Sequence, residues 1–460
     1  MTRTLTCISP IDGSIFAERP VLDRDAAFDA ASRARAAQAD WAARPLKERI
    51  DLVMAGVAAV GAMNDEVVPE LARMMGRPVR YGGEFGGFNE RATHMAKIAQ
   101  DALADIPVGE DATFLRYIRR VPQGVVLVVA PWNYPYMTAI NTVAPALIAG
   151  NTVLLKHATQ TLLVGERMAR AFHSAGVPGD VFQNVFLDHD TTSELIGGRA
   201  FDMVNFTGSV AGGRAMERAA AGTFTAVATE LGGKDPGYVM EDADLDAAVA
   251  TLIDGAMFNS GQCCCGIERI YVHESLFEPF LEKALKIVRG YKLGNPLEPD
   301  TDIGPMAHVR FAREVRDQIA EAVAAGATAH VETMAADDGA AYLTPQILTN
   351  VTHDMRVMRD ESFGPVVGIM PVKDDEEAIR LMNDSPYGLT ASLWTADIAR
   401  AQRVGDRVET GTVFMNRADY LDPGLCWTGC KDTGRGGGLS VIGYHNLTRP
   451  KSYHLKKVTK

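Results

Sequence analysis

VVLVVAPWNYPYMTAINTVAPALIAGNTVLLK, residues 125–156, is the stretch on which the fold turns. It opens with six apolar residues in succession, VVLVVA (125–130), many of them β-branched. A run of that length with no polar alternation reads as a strand buried on both faces, as in a parallel sheet. PWNYP (131–135) follows, and residues 138–149 then suit a helix that ends at Gly150. TVLLK (152–156) is a second strand. Residues 161–175 carry Val164, Met168 and Phe172 four apart, with Gly176 and Pro178 as stop signals. VFQNVF (181–186) and DMVNFTG (202–208) give further strands, 210–221 a helix, and TAVATEL (225–231) a fifth strand. Strands and helices alternating through short connectors predict a doubly wound parallel sheet, whose natural ligand is a nucleotide at the carboxyl ends of the strands.

Outward from that unit, the N-terminal part reads as helices. Ala27, Ala30, Ala34, Ala37 and Trp41 recur at three- or four-residue steps, Pro45 breaks the pattern, and a second helix runs to about Ala62. A second α/β stretch covers about 233–432, with helices over 244–258, 275–290, 310–325 and 375–383 and strands at GIERIYV (266–272) and GPVVGIM (364–370). The C-terminal RPKSYHLKKVTK (449–460) shares a basic, aromatic character with FLRYIRRV (114–121), and the two are expected to pair as edge strands. At 460 residues the chain exceeds what one core usually serves, so two or more domains are expected.

Composition excludes several classes. The net charge of −12 repels phosphate backbones and anionic bilayers, so neither nucleic acid nor membrane is an expected partner. No run approaches the roughly 20 apolar residues of a membrane helix. The start, MTRTLTCISPIDGSIF, lacks the apolar centre of a signal peptide. Six cysteines are sparse, and three of them are adjacent (Cys263, Cys264, Cys265). Reduced thiols in a cytoplasmic enzyme fit this usage better than a disulfide framework.

Five short stretches carry chemistry, each with a plainer structural reading beside it. FNSGQCCCGIER (258–269) places thiols after a glycine, and a thiolate of lowered pKa is a strong nucleophile. A lone cysteine is usually inert core, and a zinc site with Cys426 and Cys430 lacks a paired CxxC spacing, so no metal is expected. PWNYP holds an Asn between prolines, where its amide can face a developing oxyanion or simply cap a turn. ELGGK (230–234) sets a carboxylate at a strand end beside glycines, as a general base or a solvated Glu. FTGSVAGG (206–213) runs a strand through a glycine turn into a helix, which suits a phosphate but departs from G-x-G-x-x-G. ESFGP (361–365) sets a Glu before a glycine–proline turn, on ribose hydroxyls or at a surface.

In their order and spacing PWNYP, FTGS, ELGG, GQCCC and ESFGP resemble the aldehyde dehydrogenase superfamily over nearly the whole chain, from about residue 10. The resemblance implies an α/β protein. Its parts would be a Rossmann-like cofactor-binding domain (1–103 and 123–232), an α/β catalytic domain (233–445) and a small β oligomerisation arm (104–122 and 446–460), assembled as a homodimer or homotetramer. It puts Cys264 at the nucleophile, Asn133 at the oxyanion amide with the Cys264 backbone N–H as second donor, and Glu230 at the general base. Lys156 falls on the adenosine-ribose contact, Gly208 and Ser209 at the pyrophosphate-side turn with Gly213 in the following helix, Glu361 on the nicotinamide ribose, Phe363 at the nicotinamide and Trp132 in the cleft. The implied reaction oxidises an aldehyde to a carboxylate with NAD or NADP, through a cysteine thiohemiacetal and a thioester that water cleaves. CoA-acylating and non-catalytic members are the alternatives, and Glu230 with Cys264 and Asn133 speaks against both.

The chain departs from the family where the ribose binds. Many NAD-preferring members carry a Glu three residues after the lysine; here Thr159 stands there, with His157 where Pro is common, so NADP is admissible and dual use is expected. The substrate pocket points two ways. Tyr134 and Trp427 resemble the aromatic residues of aminoaldehyde enzymes, where a cation sits on π faces, although Asn141 replaces a further aromatic. The KHA run resembles bacterial succinate-semialdehyde dehydrogenases, and Arg417 is a candidate for a substrate carboxylate, with Asp419 and Asp422 nearby against it. A semialdehyde, or a small aliphatic or amino aldehyde, is expected.

Overall fold

A computed structural model describes residues 3–458. Its first sheet has five parallel strands in the order Phe182–Asn184, Thr152–His157, Val125–Ala130, Met203–Thr207, Ala226–Glu230. The chain starts at the central strand, builds outward on one side, then returns to build on the other. The strand order therefore reverses beside Val125–Ala130, which opens a crevice at the carboxyl ends of the strands. All six residues of Val125–Ala130 are buried. Val126, Val128 and Ala130 pack with the helices Leu46–Gly61, Phe85–Ala102, Pro135–Ile148 and Leu162–Ser174. Val125, Leu127 and Val129 pack with Arg24–Ala43, His189–Gly197 and Val210–Ala220 on the opposite face. A strand sends successive side chains to opposite faces, so a run apolar at every position needs a helix layer on each. Burying each such side chain is worth about 2 kcal/mol.

The second sheet has seven strands, in the order Thr328–Ala329, Gln346–Thr349, Val366–Val372, Ile267–His273, Asp235–Val239, Thr390–Trp394, Thr412–Met415. Only the first of these runs antiparallel to its neighbour. One central strand escapes a reading by pattern. DPGYV (235–239) carries a Pro and a Gly, both poor strand formers, yet it is wholly buried between Ile267–His273 and Thr390–Trp394. Tertiary pairing overrides its local propensity.

The expected terminal pairing is present: Thr448–Lys456 lies antiparallel to Phe114–Pro122, which also pairs with Ile106–Glu110. Tyr117 stacks on Tyr453 with ring centroids 4.6 Å apart across that ladder. The helices expected over 25–43 and to about Ala62 are present as Arg24–Ala43 and Leu46–Gly61, and before them lies a hairpin to which the sequence reading assigned no element. Thr4–Ile8 and Ile15–Pro20 form a hairpin whose turn is built by Asp12 Oδ1 accepting the Ser14 N–H at 2.9 Å, with Gly13 left-handed at φ 74°. No single helix among the described residues is long and apolar enough to cross a membrane.

Candidate active site

The helix Leu245–Met257 stops one turn before the three cysteines, and Asn259, Ser260 and Gly261 follow with φ of 54°, 57° and 69°. Two non-glycine residues in the left-handed region in succession persist only where the surroundings over-determine them. Asn259 Nδ2 donates to the Gln262 and Asn133 carbonyls at 3.2 and 3.3 Å, Gln262 Nε2 donates to the Asn259 carbonyl at 3.0 Å, and Ser260 Oγ donates to Gly304 O at 2.9 Å. Gly261 is required by contact: a Cβ there would lie 2.2 Å from the Gly364 carbonyl oxygen.

The clamp sends the three thiols different ways. Cys263 and Cys265 are buried, their sulfurs 3.6 Å apart, both on Asp419 Oδ1 at 3.3 and 3.0 Å. Cys264 is half-buried, with its Sγ 3.8 Å from Glu230 Oε1. Hydrogen bonds from Cys263 and then Cys265 bring the Cys264 thiol down to about 7, against its burial. The same contact pushes Cys263 up to about 12. Each flanking thiol has one proton, for Asp419 or for the Cys264 sulfur. Burial raises the Asp419 carboxyl well above the carboxylate range.

Asn133 ends the turn from the strand Val125–Ala130 into the helix Pro135–Ile148. Its backbone carbonyl accepts Arg77 Nη2 at 2.5 Å as well as Asn259 Nδ2. Arg77 is itself held by Glu84 at 2.6 Å and lies over the Tyr134 ring at 4.7 Å. From below, His157 Nε2 meets the Pro135 carbonyl at 3.2 Å; burial takes this imidazole down to about 3, so it is neutral. The backbone of Asn133 is thus pinned, while its buried side-chain amide has no hydrogen-bond partner among the described residues. The Cys264 backbone N–H is likewise unpaired among the described residues.

Glu230 ends the strand Ala226–Glu230. Trp427 Nε1 donates to its Oε1 at 2.7 Å and Thr207 Oγ1 to its Oε2 at 3.2 Å. Burial raises the Glu230 carboxyl above its ordinary value, and these two bonds oppose the rise. Beside it lies a cavity of about 30 Å³ walled by Thr138, Asn141, Thr142, Asn205 and Thr207. That is room for about two waters among polar groups.

At the carboxyl ends of the first sheet the cofactor candidates gather. Lys156 is buried, and burial lowers its ammonium. Its Nζ has no hydrogen-bond partner among the described residues and is not one of the fully enclosed atoms. Thr159 starts the short turn Thr159–Thr161 beyond the same strand. Gly208 and Ser209 precede the helix Val210–Ala220, where Ser209 Oγ caps Gly212 N–H at 3.2 Å. Gly213 lets that helix approach Leu231, whose Cδ2 is 2.7 Å from where a Cβ would stand. Glu361 accepts the Gly233 N–H at 3.1 Å, and burial, reinforced by Glu268, pushes its carboxyl up to about 8. Glu268 also takes the Ser362 and Phe363 N–H groups at 2.8 and 2.9 Å and pairs with buried Lys234. Trp132 meets Phe363 edge to face at 5.4 Å and stacks on Phe311 at 5.2 Å. A topological switch point, a helix N-terminus and an unpartnered lysine amine together fit a nucleotide cofactor.

The remaining pocket candidates differ from their sequence reading. Trp427 is spent on Glu230. Tyr134 already carries the Arg77 guanidinium on its ring, so that face is not open to a substrate cation. Asn141 lies inside, accepting Arg91 Nη1 at 3.3 Å. Arg417 is exposed, its guanidinium 3.6 Å over the Tyr420 ring, and it is not drawn to the Cys264 cluster. Sequence reading missed Arg77, Arg91, Phe311 and the thiol contact of Asp419. Each acts through a neighbour distant in sequence, and no local motif marks it. Asn259 and Thr207 stood inside quoted motifs, but unassigned.

The chain is matched over residues 1–453 by the family model described as Aldehyde dehydrogenase family. It is similar to the succinate-semialdehyde dehydrogenase [NADP(+)] of Deinococcus radiodurans, 31% identical over 98% of this chain and 94% of that protein. The 3,6-anhydro-alpha-L-galactose dehydrogenase of Streptomyces coelicolor is 34% identical over 98% and 93%. Among solved structures, an NAD-dependent aldehyde dehydrogenase from Sinorhizobium meliloti superposes with a TM-score of 0.93 at 31% identity, over 99% of this chain and 92% of that one. The protein belongs to the aldehyde dehydrogenase family. It is an NAD(P)-dependent enzyme that oxidises aldehydes to acids.

Proposed function

We propose that Cys264 is the nucleophile, Asn133 and the Cys264 N–H the oxyanion donors, and Glu230 the base that makes the oxidation hydrolytic. The observation that carries this reading is the Glu230 carboxylate, 3.8 Å from the Cys264 sulfur and hydrogen-bonded on both oxygens. The thiolate adds to the aldehyde carbon, and the oxyanion of the thiohemiacetal faces the free Asn133 amide. NAD(P)+, when bound, supplies the carbon that accepts the hydride. The resulting thioester stays on Cys264. Glu230 removes a proton from water, the water oxygen attacks the thioester carbon, and the Cys264 thiolate leaves as the acid forms. A CoA-acylating enzyme has no need of that base. Glu230→Gln tests the reading: it should give one equivalent of NAD(P)H per site and then stall, whereas unchanged steady turnover contradicts it.

Lys156, Thr159, Gly208, Ser209, Gly213, Trp132, Glu361 and Phe363 hold the cofactor. Thr159 brings no carboxylate against a 2′-phosphate, which supports use of both NADP and NAD. The substrate is a small aldehyde, with semialdehydes first to be tested. The two sheets correspond to a cofactor-binding domain (1–103, 123–232) and a catalytic domain (233–445). The strands of 104–122 and 446–460, with Ile106, Val108 and Leu455 exposed, form the arm of a homodimer or homotetramer. Six free thiols fit a cytoplasmic setting.

A further inference from the structure

We propose that Arg91 binds the carboxylate of an aldehyde carrying an acid at its far end, and that it sets the specificity of the enzyme; the proposal rests on the placement of the reaction at Cys264. Arg91 lies on the helix Phe85–Ala102, facing Pro135–Ile148. Only 8% of the residue is exposed. Nη1 donates to the Met137 carbonyl at 2.9 Å and to Asn141 Oδ1 at 3.3 Å. Nε and Nη2 donate to nothing among the described residues, and neither is a fully enclosed atom, so both keep some accessible surface. No carboxylate of the described residues pairs with Arg91, although its charge helps to hold the Glu230 carboxyl down. Arg77 is paired with Glu84, Arg269 donates from all three of its nitrogens, and Arg49, though also without a carboxylate, gives Nε and Nη1 to backbone carbonyls and leaves only Nη2 free. A desolvated guanidinium with two idle donors wants a planar anion, which it can grip bidentately.

Its surroundings are those of the substrate. Asn141, its acceptor, walls the cavity that Glu230 and Trp427 also line. On the same helix face, a Cβ at Gly87 would meet Met137 Sδ at 2.4 Å, and His94 lies 3.5 Å from where a Cβ on Gly424 would stand. Arg91 therefore sits between the helix that begins just after Asn133 and the loop that delivers Trp427. An aminoaldehyde would bring its ammonium beside Arg91. A plain alkyl tail would leave the two idle donors unmatched. A terminal carboxylate satisfies both.

The test compares succinate semialdehyde, butanal and 4-aminobutanal on the wild type and on Arg91→Met and Arg91→Lys, each checked by thermal unfolding. The wild type should favour the acid. Arg91→Met should lower kcat/KM for succinate semialdehyde by about 100-fold, mainly through KM, and move butanal by less than about threefold. Arg91→Lys should restore part of the loss. Equal losses on butanal and succinate semialdehyde, or a wild type that prefers butanal, overturn the proposal. Acylation of Cys264 by butanal and NADP+ in Glu230→Gln separates this failure from a failure of the nucleophile assignment.

Discussion

The cysteine loop and the cofactor turn do their work by opposite means. Residues 259–266 are clamped from every side: left-handed backbone at 259–261, Asn259 bonded to the Asn133 turn, Ser260 to Gly304, and two buried thiols on Asp419. Residues 207–213 are held more lightly, by Thr207 Oγ1 and the Gly208 N–H on Glu230 and by the Ser209 cap on Gly212, and Ser209 itself is exposed. Covalent chemistry needs its reacting atoms fixed to a fraction of an ångström, so its loop is over-determined. A phosphate needs only amide N–H groups pointing out of a helix end, which many strand–helix turns provide. The difference predicts steep losses from substitutions at the first site and graded ones at the second.

The steepest loss falls on Cys264→Ser, on the order of 10⁴-fold or more in steady-state NAD(P)H production, with Cys263→Ser and Cys265→Ser keeping most activity. A Cys263 variant as inactive as Cys264→Ser breaks the distinction between the three thiols. Asn133→Ala should then cost about 10²–10³ in kcat, as for one oxyanion donor. At the cofactor turn the effects shrink. Thr159→Glu should cut kcat/KM for NADP+ by about tenfold while sparing NAD+, because a carboxylate repels a 2′-phosphate. Equal changes with both cofactors would remove Thr159 from the ribose site. Smallest is Trp427→Phe. The indole N–H stabilises ionised Glu230, so its loss raises the Glu230 pKa. Hydrolysis needs the ionised form, so the acid limb of the kcat profile should move to higher pH by about one unit. A limb that stays in place contradicts the role of that hydrogen bond.

The same contrast explains what could be read in the chain. VVLVVA and TVLLK announced a doubly wound sheet because a strand buried on both faces has no polar position to confuse the pattern. The pairing of 449–456 with 114–121 was legible from matching basic and aromatic character. DPGYV was not, since its strand exists only by virtue of its two neighbours. Cys264, Asn133 and Glu230 stand in dense local motifs at strand ends. Arg77 lies 56 residues from Asn133, and Asp419 lies 156 and 154 residues from Cys263 and Cys265; neither carries a local signature. The hairpin of the first twenty residues carried a signal that was not used: Asp12-Gly13 stands between its two strands.

The most direct test of the account is intact-protein and peptide mass spectrometry of Glu230→Gln mixed with aldehyde and NADP+. The account predicts an acyl adduct of one aldehyde per chain, mapped to Cys264 and released slowly. No adduct, or an adduct on Cys263 or Cys265, would contradict it.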